Sequence, residues 1–225
     1  MSDPTDWRGV TLVLDGAAGA ISIALLVHGD VVGERIAERT GRASTLGPAE
    51  QVPSLVRALR ALGPEGPIAR VVVGAGPGSF TGLRAAAAFA KGIAHGGGVP
   101  LYAIPSLSLM VARALDGGRL GTQRHVVATL DALRGERFAQ SFAVDAAAGT
   151  ITPVGDALRV PASAQSPEWI GPGTAVDVLP SAAHATRVLS HATPVEITSW
   201  EPVYGRLAEA QVQWEAAHAT RTANG

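Results

Sequence analysis

The residues best placed to do chemistry lie in one stretch, Gly74-Ala75-Gly76-Pro77-Gly78-Ser79-Phe80-Thr81-Gly82-Leu83-Arg84. It follows the apolar run Val71-Val72-Val73 and precedes an alanine-rich segment from Ala85 to Ala94, so it reads as the turn from a buried strand into a helix. Glycines at such a junction bring backbone N–H groups and a helix N-terminus toward a ligand, a geometry suited to anions. The residues that make such loops catalytic are missing. A Walker A loop needs Gly-Lys-Ser/Thr, and the first Lys after these glycines is Lys91, well inside the helix. The dinucleotide pattern also fails: counted from Gly74 or from Gly76, the third glycine position holds Ser79 or Thr81. Two readings of the loop stand. It cradles a phosphate, or its glycines supply positive φ and close helix-strand packing while Ser79 or Thr81 caps the helix.

Asp15 and Asp131 each stand at the end of a predicted strand, where a carboxylate can orient a hydrated metal. Asp15 is followed by Gly16 and Ala17, which offer no side-chain hydrogen bond to a phosphate, so a turn-forming role competes with a catalytic one. The six histidines occur singly, none three or four residues from another, and no helix presents the paired imidazoles of a zinc hydrolase. A site gathered from distant segments is the metal arrangement left open. No Gly-x-Ser-x-Gly elbow occurs. The chain has no cysteine, which excludes disulfides, zinc-thiolate sites, iron-sulfur clusters and cysteine nucleophiles.

Positioning these residues takes a sizeable core, and 225 residues suffice for one large domain or two lobes. The composition, 47% hydrophobic with 16% charged and 4% aromatic residues, is that of a globular chain filled by Ala, Val and Leu. Net charge is −1 and the basic residues are scattered, so the chain advertises no surface for gripping a nucleic acid backbone. The segment from Met1 to Arg8 does not read as a secretory signal, and the most apolar run, Ala17 to Val27, falls short of the about 20 residues that cross a bilayer. A cytoplasmic protein with no membrane association is expected.

The pattern predicts strands over Val10 to Asp15, Ala20 to Val27 and Val31 to Ala37, a meander turned at His28-Gly29-Asp30. Val52, Leu55, Val56, Leu59 and Leu62 recur at helical spacing. A strand over Ala69 to Gly74, a helix over Gly82 to His95, a strand over Pro100 to Ile104 and a helix over Ser106 to Leu115, with Ser106 as its cap, complete the order βββαβαβα. The glycine-rich linker Asp116 to Gly121 follows, and then Leu130-Asp131, a short turn and a strand from Arg137 to Val144 repeat the opening Leu14-Asp15 hairpin. The prediction is an α/β chain of two lobes, residues 1–116 and 117–218, with a disordered tail over 219–225. Residues 146–173 read as a stretch rich in Ala, Pro, Ser and Gly, Ala183 to Leu189 as a short helix, and Arg206 to His218 as a final helix. The helix after the loop carries Gly82, Ala85 to Ala88, Ala90, Gly92 and Ala94, and is thin on every side.

Gly76-Pro77-Gly78-Ser79-Phe80-Thr81-Gly82-Leu83-Arg84 resembles the signature motif of the TsaB family, also called YeaZ. The resemblance extends through Ala90-Lys91-Gly92-Ile93-Ala94, Pro105-Ser106-Leu107, Asp131 to Phe138, and Pro202-Val203-Tyr204 followed by Arg206. It implies the actin-like ATPase (ASKHA) fold, two duplicated lobes with mixed sheets flanked by helices. It further implies a part in making N6-threonylcarbamoyladenosine (t6A) in tRNA, as a non-catalytic scaffold and dimerisation subunit. The catalytic partner would be TsaD, which carries the metal, and the ATPase TsaE would join them. No cofactor of its own is implied: ATP, magnesium and metal belong to the partners, and tRNA is met only through the complex. The chain alone would be a homodimer. The surface implied for partner binding is carried by Leu55, Val56 and Leu59 of one helix and by Ser79, Phe80, Thr81, Gly82, Leu83, Arg84, Ala87 and Lys91 of the other, with Gly74, Gly76, Pro77 and Gly78 forming the signature loop. Two departures stand out: Asp15-Gly16-Ala17 where the family has Asp-Thr-Ser, and Ala43-Ser44-Thr45 where it has His-Ser-Glu. The competing reading from the residues is an ATP-dependent phosphotransferase of the actin-like fold, built on the loop and Asp15; a metallopeptidase is a weaker third.

Overall fold

In the first strand, β1 (Val10–Asp15), every residue is buried. Leu12 and Leu14 belong to one hydrophobic cluster and Val13 to another, the alternation of a strand covered on both faces. The computed structural model describes residues 7–37, 48–62 and 66–204. β1 pairs antiparallel with β2 (Ile21–Val27), which pairs antiparallel with β3 (Asp30–Ala37). α1 (Pro48–Leu62) leads to β4 (Ile68–Gly74), which lies parallel to β1, and α2 (Phe80–Gly97) leads to β5 (Leu101–Ile104), parallel to β4. A meander followed by two parallel crossovers is the α/β lobe that the element order predicts, in the actin-like arrangement that the family resemblance implies.

Both clusters are explained by this sheet. On one face Leu12, Leu14, Ile21, Ile23, Val71 and Val73 pack against Val52 and Leu59 of α1 and Ala86, Ala90 and Ala94 of α2. On the other, Val13, Ala24, Leu26 and Val72 meet α3 (Ser106–Asp116). From Ser106 to Ala112 that helix is buried at every position, because the second lobe covers its far side.

The second lobe is a four-stranded sheet in the order β8 (Thr150–Pro161), β7 (Glu136–Asp145), β6 (His125–Leu133), β9 (Trp169–Ile170), with β9 parallel to β6 and the rest antiparallel. A 3₁₀-helical segment, Ala182–His191, broken by a kink at Val188, lies beside α3 and ties the lobes together. The Ser22 and Ser181 hydroxyls both donate to Glu34 Oε1, and the Ala182 N–H donates to Ser22 Oγ at 2.8 Å. On the other side of that helix, Arg187 Nε donates to Asp116 Oδ1 at 2.6 Å and His184 Nδ1 lies 2.6 Å from Oδ2. Burial alone would raise the Asp116 pKa, but these two neighbours outweigh it and hold the carboxyl below its ordinary 3.8.

The structure departs from the sequence reading in three places. The stretch 146–173 holds β8 and β9. β8 is a sheet edge with Ile151 its only buried residue, and its register slips opposite Ala139 and Ser141, so it lacks the alternation that marks a half-buried strand. Ser106 is not the cap of α3: Pro105 stands at that position, and the Ser106 side chain serves the signature loop instead. The chain does not stay in the second lobe to residue 218. β10 (Thr193–Val195) returns to the first sheet, antiparallel to β5, because the open edge of β5 offers unpaired backbone groups. The final helix over Arg206 to His218, the tail over 219–225 and the departure at Ala43-Ser44-Thr45 lie outside the described residues.

Candidate functional site: the signature loop and the cleft between the lobes

Three backbone donors of the loop from Gly74 to Ser79 are spent on its own protein. Ala75 N–H donates to the Ile104 carbonyl at 2.7 Å, Gly76 N–H to the Ser106 hydroxyl at 3.0 Å, and Ser79 N–H to the Ala17 carbonyl at 2.7 Å. At the start of α2, Gly82 N–H is capped by Ser79 Oγ at 3.3 Å and Leu83 N–H donates to the Ser79 carbonyl at 2.9 Å. A phosphate cradle needs such groups aimed at a ligand. Here five of them are satisfied within the fold, and of the two candidate caps it is Ser79 that acts.

The glycines are explained by contact. A Cβ on Gly16 would fall inside 3.0 Å of the Gly82 carbonyl, and one on Gly82 would fall inside 3.0 Å of the Gly16 carbonyl. The N-terminus of α2 therefore rests directly on the turn after β1, backbone to backbone. Gly78 meets the Ala17 backbone with the same closeness, and Gly76, at φ 90°, meets the Val203 carbonyl. The Gly76–Pro77 bond is cis.

Asp15 lies under this junction, 2% exposed. Its Oδ1 accepts the Ala17 N–H at 3.0 Å, the bond of a turn-forming carboxylate. Oδ2 is buried beside Gly74 and the Ser106 hydroxyl and has no hydrogen-bond partner among the described residues. Burial raises its pKa above the ordinary 3.8, and the nearness of Ser106 and the Ala17 N–H only partly opposes this.

Between the lobes a cleft of about 840 Å³ opens beside the loop. It is lined by the Ala17–Ala20 turn, by Gly78 to Thr81 and by the Asp131–Leu133 tip of the β6–β7 hairpin. Arg113 and Asp131 are the ionisable side chains among its lining residues, and Asp131 turns its Oδ1 to the Leu133 N–H at 2.7 Å. Asp15 does not line the cleft, so the two hairpin carboxylates do not converge on it. Among the described residues no group of three or more His, Asp and Glu side chains comes together to hold a metal, and no helix is long and apolar enough to cross a membrane.

A segment that the sequence reading gave no role completes the site. Residues 200–204 run over the loop and one flank of α2: Val203 N–H donates to the Ala75 carbonyl at 2.8 Å, and the Tyr204 ring lies 4.7 Å from that of Phe80. Lys91 sits 5.9 Å over the Trp200 ring and 3.4 Å from Glu201, whose other oxygen accepts from the Tyr204 hydroxyl at 3.0 Å. The only sequence signal for this strap was the match at Pro202-Val203-Tyr204.

The residues implied for partner binding thus divide. Leu59, Gly82, Leu83 and Ala87 are buried in the chain's own core, as are Gly74, Gly76, Pro77 and Gly78 of the loop. Phe80 and Lys91 are engaged by the strap, and Ser79 caps α2. Thr81 and Arg84 face outward, and Leu55 and Val56 are half-buried on α1. Ala88 and Gly92 extend the outward stripe of α2 one and two turns beyond Arg84.

Comparison with known proteins gives this geometry a family. The family model of TsaD, tRNA N6-adenosine threonylcarbamoyltransferase, matches residues 50–177. The tRNA threonylcarbamoyladenosine biosynthesis protein TsaB of Haemophilus influenzae is 33% identical over 126 residues, 56% of this chain and 50% of that protein. The match spans half the length of this curated relative. Two structures from Pseudomonas aeruginosa share the fold at 24% identity, each covering 88% of this chain and 100% of the other. They are YeaZ, with a TM-score of 0.68, and a protein described as similar to the peptidase YeaZ, with a TM-score of 0.69. On the family match from residue 50 to 177, together with the signature loop and the actin-like first lobe, the chain belongs to the TsaB (YeaZ) family of tRNA threonylcarbamoyladenosine biosynthesis proteins.

Proposed function

We propose that the chain is a non-catalytic scaffold subunit of a t6A-forming complex, docking on a TsaD-type catalytic subunit through the outer layer formed by α1 and α2. The observation that carries this reading is the outward face of α2. Thr81, Arg84, Ala88 and Gly92 are exposed at successive turns, and Gly92 has nothing within 4 Å of the position a Cβ would take. Small side chains there let a second helix approach at the short end of the usual interaxial distances, about 8 Å. Arg84, over the Phe80 ring at 5.2 Å, supplies a charge on that stripe, and Leu55 and Val56 of α1 lie half-buried against the core that α1 and α2 share. In this reading the nucleotide chemistry, the magnesium and the catalytic metal belong to TsaD and to the ATPase TsaE, tRNA is met only in the complex, and the same face pairs two copies when the chain is alone.

Co-expression with the cognate TsaD tests the reading. A stable complex is expected on co-purification, and depletion of this chain should lower t6A in tRNA digests measured by mass spectrometry. Gly92→Trp, placed where there is space, should leave the fold intact and weaken the complex at least about tenfold, since a bulky ring would hold the helices apart. Absence of a complex together with unchanged t6A would overturn the proposal. Magnesium-dependent ATP turnover by the isolated chain, lost in Asp15→Asn, would replace it with the phosphotransferase reading.

A further inference from the structure

The second lobe holds a smaller cavity of about 340 Å³, lined by its own residues alone. Trp169 of β9 forms one wall, the 164–167 loop and the turn at Gly173 to Ala175 form the others, and Arg137 enters from β7. This volume is at the lower end of small-molecule sites. Neither the cleft between the lobes nor the outer helices contribute to it.

Arg137 is half-buried, yet both of its hydrogen bonds use one terminal nitrogen and both go to neutral acceptors. Nη1 donates to the Pro172 carbonyl at 2.8 Å and, at 3.4 Å, to the Thr129 hydroxyl. A guanidinium carries five N–H donors, so the Nε and Nη2 hydrogens remain. Nη2 lies at the cavity rim, 3.4 Å from where a Cβ of Gly173 would stand. The carboxylates that the sheet brings near are committed elsewhere. Asp131, directly across the ladder from Arg137, accepts the Leu133 N–H at its Oδ1, and Glu136 pairs with Arg159 at 3.3 Å. Among the described residues no carboxylate pairs with Arg137.

A cation partly withdrawn from water beside neutral acceptors lacks the charged partner that would offset the desolvation it does pay. The free Nε and Nη2 edge is the one that takes two oxygens of a single carboxylate or phosphate in parallel. The indole of Trp169 adds a flat apolar wall, on which a ring can lie. We propose that this cavity binds a small aromatic or heterocyclic anion, its carboxylate or phosphate paired with Arg137 and its ring against Trp169. The site is independent of the docking reading, since it needs neither α1, α2 nor a partner subunit.

The test is an NMR titration of the full chain that follows the indole N–H resonance of Trp169, assigned by its loss in Trp169→Phe. Phenylacetate and adenosine 5′-monophosphate are the probes, each beside its neutral counterpart, phenylacetamide and adenosine. At least one anion should give a saturable shift with a Kd below ~1 mM and bind at least ~10-fold more tightly than its counterpart. The carboxylate and phosphate arms identify the preferred head group. Arg137→Gln, which keeps a donor for the Pro172 carbonyl, should weaken that binding at least ~10-fold. Should this variant fail to fold, the ratio of anion to neutral counterpart in the unsubstituted chain decides alone. No saturable shift with either anion, equal binding of the neutral counterpart, or unchanged affinity in a folded Arg137→Gln would each overturn the proposal.

Discussion

The hairpins at Asp15 and Asp131 start from the same sequence pattern, Leu-Asp at or near the end of a strand that pairs with the strand returning after it. In the first lobe the carboxylate is 2% exposed and lies beneath the N-terminus of α2, with Gly16 and Gly82 in backbone contact. In the second lobe no helix among the described residues covers the hairpin tip. Asp131 is exposed, Leu133 and Arg134 adopt φ of 63° and 54°, and Gly135 has nothing within 4 Å of its would-be Cβ. A strand-end Asp is thus not one kind of residue. What packs on the turn decides whether it becomes a buried carboxyl with a raised pKa or a solvated cap for the next N–H.

This contrast can be broken most forcefully at its glycines. Gly82→Ala or Gly16→Ala drives a methyl into facing backbone and should cost about 3 kcal/mol or more, whereas Gly135→Ala meets only the penalty of positive φ, about 1 kcal/mol. Urea denaturation measures both, and equal losses would mean that the two turns are not packed differently. Ser106→Ala removes the acceptor of the buried Gly76 N–H and should cost about 2 kcal/mol in the same experiment, without altering the second lobe.

The carboxylates offer a finer test through pH. Burial raises the Asp15 pKa above 3.8, so the folded chain keeps that proton to higher pH than the unfolded chain. The Asp15 contribution is then most favourable at and below pH 3.8. It falls as pH climbs toward the raised folded value, at no more than about 1.4 kcal/mol per pH unit, and levels beyond it. Asp15→Asn should remove that fall, so the variant gains on the unsubstituted chain as pH rises; a constant difference between the two would contradict it. Asp131→Asn, at the exposed tip, should change thermal stability least, by about 0.5 kcal/mol, because Asn still accepts from the Leu133 N–H.

The first lobe was legible because its signals are local and strong. Val71-Val72-Val73, the glycine run and the alanine-rich helix name strand, turn and helix in order, and observed bounds such as Ile68–Gly74 and Phe80–Gly97 lie within a few residues of those predicted. β8 was not legible, since an edge strand with one buried residue has no apolar alternation to show. The site divided in the same way. Ser79 could be named as a cap from sequence, but Ser106, 30 residues from the glycine it serves, carried no local sign of that duty. Nor did Trp200 and Tyr204, which reach Lys91 and Phe80 of α2 only after the chain has crossed the second lobe and returned beside β5. Leu83 and Ala87, implied as partner contacts, face inward because the first sheet and the turn after β1 claim that side of α2.

The sequence by itself determined the family motif, the order of the first eight elements and the lack of a Walker motif, a dinucleotide motif and any cysteine, because each is read from the residues themselves. Tertiary structure alone decided that the loop is closed on itself, that Asp15 is buried while Asp131 is not, and which face of α2 stays outside. Those outcomes depend on which segments, distant in the chain, occupy the space around each residue, and burial and hydrogen-bond satisfaction are properties of that space.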